Sequence, residues 1–239
     1  MDLGIQKRVA LVTGGLRGIG LGIVNRLSEE GCTVATCDIQ ADEESVLPGD
    51  VWFAECDVSD QSACRDLVNA IEDDLGPVEI LVNNVGIQTT DSVADQPLAE
   101  WEQSLRVNLT SAFILSQMTV PSMKRRGWGR VVNISSMAGK VGGLTVSPAY
   151  SASKAGMLGL TKSVARFAAP EATSNAVAPA FIQTGMTTEE TAREFAAKLP
   201  VGRTGTVEEV AAAVAYLASD VAGYITGEVL DLNGGHLMD

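Results

Sequence analysis

Apolar residues in this chain gather into seven short runs of strand-forming composition, at 9–13, 33–37, 51–55, 80–83, 131–135, 174–177 and 229–232. Between them, apolar positions recur at helical spacing over 18–30, 60–74, 98–126, 149–168, 187–198 and 207–219. Runs that are apolar throughout, rather than alternating, fit strands buried on both faces. Strands that alternate with helices predict a parallel sheet covered on both sides. Several helix starts are legible. Ser59 and Asp60 precede one, Pro97 opens the long one, and Thr206 with Glu209 forms a capping box. The connection over 39–50 contains Pro48 and Gly49 and leaves room for a truncated helix at most. No linker, repeat or biased tract interrupts the order, so 1–239 is expected to be one domain.

Composition narrows the class. With 46% hydrophobic and 20% charged residues among 239, the chain can bury a sizeable core and does not resemble a disordered segment. No apolar run approaches the roughly 20 residues of a bilayer span, and the N-terminus carries no secretory pattern, so a cytoplasmic protein with no membrane partner is expected. The net charge of −13 disfavours nucleic acid as a partner. Residues 38–74 hold twelve acidic side chains against one base, Arg65. The opposite cluster, Lys124, Arg125, Arg126 and Arg130, reads as the end of a helix complementing its dipole. The four cysteines have no CxxC spacing and the single histidine is His236, so neither a metal site nor a Ser/His/Asp hydrolase is expected.

The candidate chemistry lies where strands end. The first strand runs into Thr13-Gly14-Gly15-Leu16-Arg17-Gly18-Ile19-Gly20 and then a helix, a setting in which backbone amides can meet a pyrophosphate. Asp38 closes the second strand, where a carboxylate can accept from both hydroxyls of an adenosine ribose and repel a 2′-phosphate. Asn83-Asn84-Val85-Gly86 ends the fourth strand, and Asn133-Ile134-Ser135-Ser136 closes the fifth. Tyr150 and Lys154 sit four apart and share one helical face. A lysine beside a phenol is expected to draw its pKa down from about 10 toward neutrality, giving a general acid or base for an alcohol or ketone oxygen.

From Arg8 to Gly235 these segments resemble the short-chain dehydrogenase/reductase family, on TGGLRGIG, CDI, CDV, NNVG, RVNLTSAF, GRVVNISS, YSASK, NAVAPAFIQT, LPVGR and YITGEVLDLNGG. The resemblance implies a Rossmann-type doubly wound α/β domain, a seven-stranded parallel sheet and a nicotinamide cofactor. It implies Tyr150 as proton donor or acceptor and Lys154 as the group that holds the nicotinamide ribose. Ser136 would bond the substrate oxygen, and Asn108 would order a helix kink and a water near Lys154. Cofactor contacts would fall to Gly14, Arg17, Gly18, Ile19, Gly20, Asp38, Asp57, Val58, Asn84, Gly86, Tyr150, Lys154, Pro179, Ile182 and Thr184. Departures are NNVG for the family's NNAG, Pro179-Ala180 for Pro-Gly, no basic residue in PEATSNAV, and a 14-residue step from Ser136 to Tyr150, which leaves Ser135 as an alternative.

The expected activity is hydride transfer between NAD(H) and a ketone or secondary alcohol. NADP is disfavoured by Asp38 although Arg17 argues the other way. A non-catalytic dinucleotide sensor would not need Ser136, Tyr150, Lys154 and Asn108 together. A sugar-nucleotide epimerase would need a larger C-terminal region. The pattern also looks much like 3-oxoacyl carrier-protein reductases, so a 3-oxoacyl thioester is the alternative substrate, with the basic run at 124–130 receiving an acidic carrier and NADPH as its possible cofactor. The substrate pocket is expected from Gln88, Thr89, residues 137–146 and a lid at 185–199, lined by Met137, Val141, Leu144, Val146 and Met186, with Lys140 the only cation before the lid. Apolar residues on more than one face of the helices at 98–126 and 149–168 point to a homotetramer or dimer.

Overall fold

A computed structural model of the protein describes all residues except 42–45, 144, 185–187 and 239, and the side chain of residue 191. The expectations for Asp42, Glu43, Glu44, Leu144, Gly185 and Met186 lie outside the described residues. Strands β1 (Val9–Thr13), β2 (Thr33–Asp38) and β3 (Trp52–Glu55) alternate with helices α1 (Gly18–Glu29) and α2 (Gln61–Asp74). Then come β4 (Ile80–Asn83), α3 (Leu98–Leu105), α4 (Ser111–Arg126), β5 (Arg130–Ile134), the short α5 (Ala138–Val141) and α6 (Pro148–Ala168). The chain continues through β6 (Thr173–Pro179), β7 (Ile182–Gln183), α7 (Glu189–Ala196), β8 (Gly205–Thr206), α8 (Val207–Leu217) and β9 (Val229–Leu232).

Seven strands form one sheet in the order β3-β2-β1-β4-β5-β6-β9, every pairing parallel. Strand order therefore reverses between β1 and β4, and a crevice is expected beyond their carboxyl ends. On one face, Ile23, Val24 and Leu27 of α1 and Val210, Val214 and Leu217 of α8 pack on β1 and β4 side chains. On the other, Cys64, Leu67 and Ile71 of α2 meet Ile114, Leu115 and Met123 of α4. Both faces are covered, which is why β1 is buried at all five positions and reads as unbroken apolar sequence.

Two expectations need correction. The helix over 98–126 is not continuous: a π-helical turn at Arg106–Thr110 separates α3 from α4. Apolar periodicity runs through such a turn almost unchanged, so it leaves little trace in the pattern. Arg130 belongs to β5 and is buried, rather than ending the preceding helix. The described residues between β2 and β3 contain no helix, within the expectation of a truncated one at most. Other differences are shifts at ends: β2 reaches Asp38 and β6 spans 173–179. The parallel β7–β8 pair and α5 are too short to announce themselves.

Candidate active site

A cavity of about 730 Å³ opens at the carboxyl ends of β1, β2, β4, β5 and β6, within the usual size range for small-molecule and cofactor sites. All fifteen residues expected to meet the cofactor line it, as do Ser136, Tyr150 and Lys154. Asn108 stands behind the wall, fully buried. Of the substrate residues expected, only Gln88 lines this cavity among the described residues; Thr89, Met137, Val141 and Val146 do not. The chain there is turned elsewhere: the Thr89 carbonyl accepts from the Ser147 amide at 2.8 Å, and 138–141 is wound into α5. Lys140 is no free pocket cation, since its ammonium pairs with Asp231 at 2.5 Å.

The glycine-rich turn is built for close approach. Gly14 has a positive φ of 69°, and a Cβ at Gly20 would stand 1.9 Å from the Gly14 carbonyl oxygen, so a side chain at either would break the turn. No side chain caps the N-terminus of α1, because Arg17, at the cap position, makes no such bond. The first-turn amides and the positive end of the helix dipole are left for an anion. Asn84 braces this turn, donating to the carbonyls of Thr13 at 2.9 Å and Gly14 at 3.1 Å. Thr13 Oγ1 in turn accepts from the amides of Asn84 and Val85 at 3.0 and 3.2 Å. Sequence reasoning assigned Thr13 no part, although its place at the end of β1 opposite NNVG was the available signal.

At the other end of the crevice, Ser147 Oγ accepts from the Tyr150 amide at 3.2 Å and caps α6, setting Tyr150 in the first helical turn. Lys154 follows one turn later, wholly buried, donating to the Ile134 carbonyl at 2.8 Å with its Nζ 5.7 Å from the Tyr150 ring. The structure separates the two serines. Ser135 is buried and donates to the Lys154 carbonyl at 2.8 Å, whereas the Ser136 hydroxyl accepts from the Ala138 amide at 3.1 Å and bonds the Tyr150 phenol. Gly86 completes the group: a Cβ there would lie 3.2 Å from Lys154 Nζ and 3.5 Å from Asn108 Oδ1. Ile87, Gln103 and Val107 also line the cavity, and sequence reasoning missed them. Gln103 and Val107 stand four apart, a spacing that placed them on one helical face.

The electrostatics run against expectation. Burial pushes the Tyr150 phenol up, with the Ser136 hydroxyl partly opposing it, and burial draws Lys154 down to about 8. The lysine does not bring the phenol toward neutrality: burial governs the phenol, and the Lys154 ammonium is held on the Ile134 carbonyl. At neutral pH the phenol therefore keeps its proton.

The basic run at 124–130 is also mostly spent. Lys124 meets the carbonyls of Phe167 and Ala169 and the Glu171 carboxylate, Arg126 reaches Glu79 at 4.0 Å, and Arg130 bonds the Ser219 and Gly129 carbonyls. The run ends α4 and begins β5, at the opposite end of the strands from Tyr150.

An uncapped helix N-terminus for a diphosphate, a carboxylate ending β2 and a crevice at the reversal of strand order suit a dinucleotide. Together with a Ser-Tyr-Lys group at the far end, they define an oxidoreductase of the Rossmann class. A family model described as enoyl-(acyl carrier protein) reductase matches residues 14–236. The chain belongs to the short-chain dehydrogenase/reductase family. Among its relatives, acetoacetyl-CoA reductase of Rhizobium meliloti is 44% identical over 96% of this chain and 98% of that protein. The 3-oxoacyl-(acyl-carrier-protein) reductase FabG of Aquifex aeolicus is 37% identical, covering 98% and 99%. The ligand-free aldohexose dehydrogenase of Thermoplasma acidophilum superposes with a TM-score of 0.90 at 33% identity, covering 97% of this chain and 94% of that one.

Proposed function

We propose that this enzyme moves a hydride between NAD(H) and a ketone or secondary alcohol, with Tyr150 giving or taking the proton on oxygen. The observation that supports it most is the convergence of the Ser136 hydroxyl, the Tyr150 phenol and the buried Lys154 ammonium at one end of a cavity whose other end is an uncapped helix N-terminus. The dinucleotide, when bound, would supply or accept the hydride at the carbinol carbon. Gly14, Gly18, Ile19 and Gly20 would hold its diphosphate, Asp38 its adenosine ribose, and Asp57 and Val58 its adenine side. Asn84, Gly86, Pro179, Ile182 and Thr184 would border the nicotinamide half.

Ser136 orients the substrate oxygen, and Tyr150 transfers the proton. Lys154 places a positive charge beside the developing alkoxide, the type of stabilisation that carries most weight in a site sheltered from water. Asn108 holds the loop after β4 against α6. Asp38 and Asp57 both line the adenosine end. Although Arg17 lines the same cavity, these two carboxylates favour NAD(H) over a cofactor bearing a 2′-phosphate.

A second reading, a 3-oxoacyl thioester as substrate, is favoured by the names of the relatives at 37% and 44% identity. A panel of acetoacetyl-CoA, a carrier-bound 3-oxoacyl thioester, free ketones and secondary alcohols, and aldohexoses, each with NADH or NADPH or the oxidised forms, tests both. Turnover of none of them would overturn the proposed function. A steep fall of kcat/KM with ionic strength, confined to carrier-bound substrates, would favour a docked carrier.

We also propose that the chain acts in the cytoplasm as one catalytic domain with a lid over 185–199, and assembles through α4 and α6 into a homotetramer or dimer. Phe113 on α4 and Phe167 on α6 are 48% and 57% exposed. Light scattering at micromolar concentration reads the assembly directly, and a monomer would refute it.

A further inference from the structure

Helix α6 opens with Pro148, Ala149 and Tyr150, which hangs the Tyr150 phenol from its first turn, where backbone amides have no acceptor within the helix. All of them are nonetheless satisfied. The Ser147 amide donates to the Thr89 carbonyl at 2.8 Å, Pro148 has no N–H, and the Tyr150 amide donates to Ser147 Oγ at 3.2 Å. The remaining one, on Ala149, donates at 3.0 Å to Oε1 of Gln96, 53 residues earlier in the chain. Ala149 is fully buried, so no solvent stands in for that oxygen in the folded chain. At α1 the corresponding amides are uncapped by side chains; at α6 two side chains from different segments close them.

Gln96 is itself held in place. Its amide donates to the Ser92 carbonyl at 3.0 Å, and Pro97, which precedes the first residue of α3, disfavours helical backbone at Gln96. Its Nε2 donates to Thr89 Oγ1 at 3.4 Å, so the two acceptors that reach α6 from outside brace each other. Gln96 does not line the cavity. Any influence on the chemistry therefore passes through α6.

We propose that Gln96 is a positioning residue for Tyr150: its side-chain carbonyl fixes the first turn of α6, and with it the phenol, against Ser136. Without that oxygen the Ala149 amide has to find another acceptor, and the turn shifts to do so. The phenol then moves off the Ser136 hydroxyl that it bonds. A displacement of about 1 Å in a reacting group can cost about 10²-fold in rate. This role rests on the proton transfer proposed above for Tyr150.

Gln96→Leu in the full chain keeps the bulk and removes the acceptor, and Gln96→Ala repeats the test without added bulk. Amide hydrogen exchange in the peptide spanning 147–154 should speed up by about tenfold or more in both. With whichever ketone or alcohol is turned over, kcat per dinucleotide-binding site should fall at least about fivefold, while KM and dinucleotide affinity stay within about twofold. Gln96→Glu keeps an oxygen at the helix N-terminus and should retain at least about half of the wild-type kcat. In a Tyr150→Phe background, Gln96→Leu should cost less than about twofold more, since the group it positions is already gone. Unchanged exchange, unchanged kcat in both variants, or a Gln96→Glu chain as impaired as Gln96→Leu would overturn the proposal. Equal falls in the two backgrounds would also overturn it, by showing a general loss of structure. A Tyr150→Phe chain of near-normal kcat would instead sink the proton-transfer reading, and the positioning role with it.

Discussion

Asn108 and Ile87 are joined by two reciprocal hydrogen bonds, the Ile87 amide donating to Asn108 Oδ1 at 2.7 Å and Asn108 Nδ2 donating to the Ile87 carbonyl at 2.9 Å. The same Nδ2 reaches Ser153 Oγ at 3.0 Å, one residue before Lys154. A buried amide thus ties the π-helical turn, the loop after β4 and the catalytic helix together. Asn108→Ala should take this partner from the half-buried Ile87 amide and carbonyl and from the buried Ser153 hydroxyl, lowering stability by about 1–3 kcal/mol by the usual cost of such losses. Chemical denaturation measures it, and a loss below about 0.5 kcal/mol would contradict the bracing role.

The two adjacent serines should separate cleanly. Ser136→Ala is expected to lower kcat/KM at least tenfold with little change in Tm, while Ser135→Ala, which frees the Lys154 carbonyl, should cost about 1 kcal/mol of stability and less activity. The reverse pattern would move the substrate contact to Ser135.

Tyr150→Phe should lower kcat by at least about 10²-fold, the scale of a lost general acid, while dinucleotide binding persists. Retention of near-normal kcat would assign the proton to another group.

Lys154 makes a claim about pH. Burial holds it near 8, below its ordinary 10.5, so the native state binds fewer protons than the unfolded chain between those values. Stability contributed by this group therefore rises with pH from about 8 to 10.5 and is lowest below 8, where the folded protein carries the buried charge. Relative to Lys154→Met, the wild type should gain about 3 kcal/mol across that window, since each tenfold change in proton affinity is worth about 1.4 kcal/mol. Ketone reduction should decline over the same range as the ammonium is lost. A stability difference that does not change with pH would show that Lys154 is neither so buried nor so easily deprotonated.

Asp38→Ser should relax cofactor choice. The wild type is expected to prefer NADH over NADPH by at least about tenfold in kcat/KM, a scale set by one like-charge contact. Equal rates before the substitution would assign the 2′-phosphate to Arg17.

How much of the fold and site was visible in the chain differs by element. The strand ends were legible because each motif residue follows directly on an apolar run, which puts Gly14, Asp38, Asn84 and Ser136 on one edge of the sheet. Tyr150 and Lys154 were legible as a pair because helical spacing alone puts them on one face. The 137–146 segment was not, since neither the short α5 nor the Lys140–Asp231 pair has a local signature.

By itself, the sequence determined the parallel sheet, its covering helices and the residues at its carboxyl edge, because these follow from local periodicity and from the few residue types that tolerate a tight turn. Tertiary structure alone decided which of two neighbouring serines bonds the Tyr150 phenol, where the long helix breaks, and that burial pushes Tyr150 up while it draws Lys154 down. Those outcomes depend on burial and on partners tens of residues away in the chain, quantities that do not exist until the sheet and its helices have closed around them.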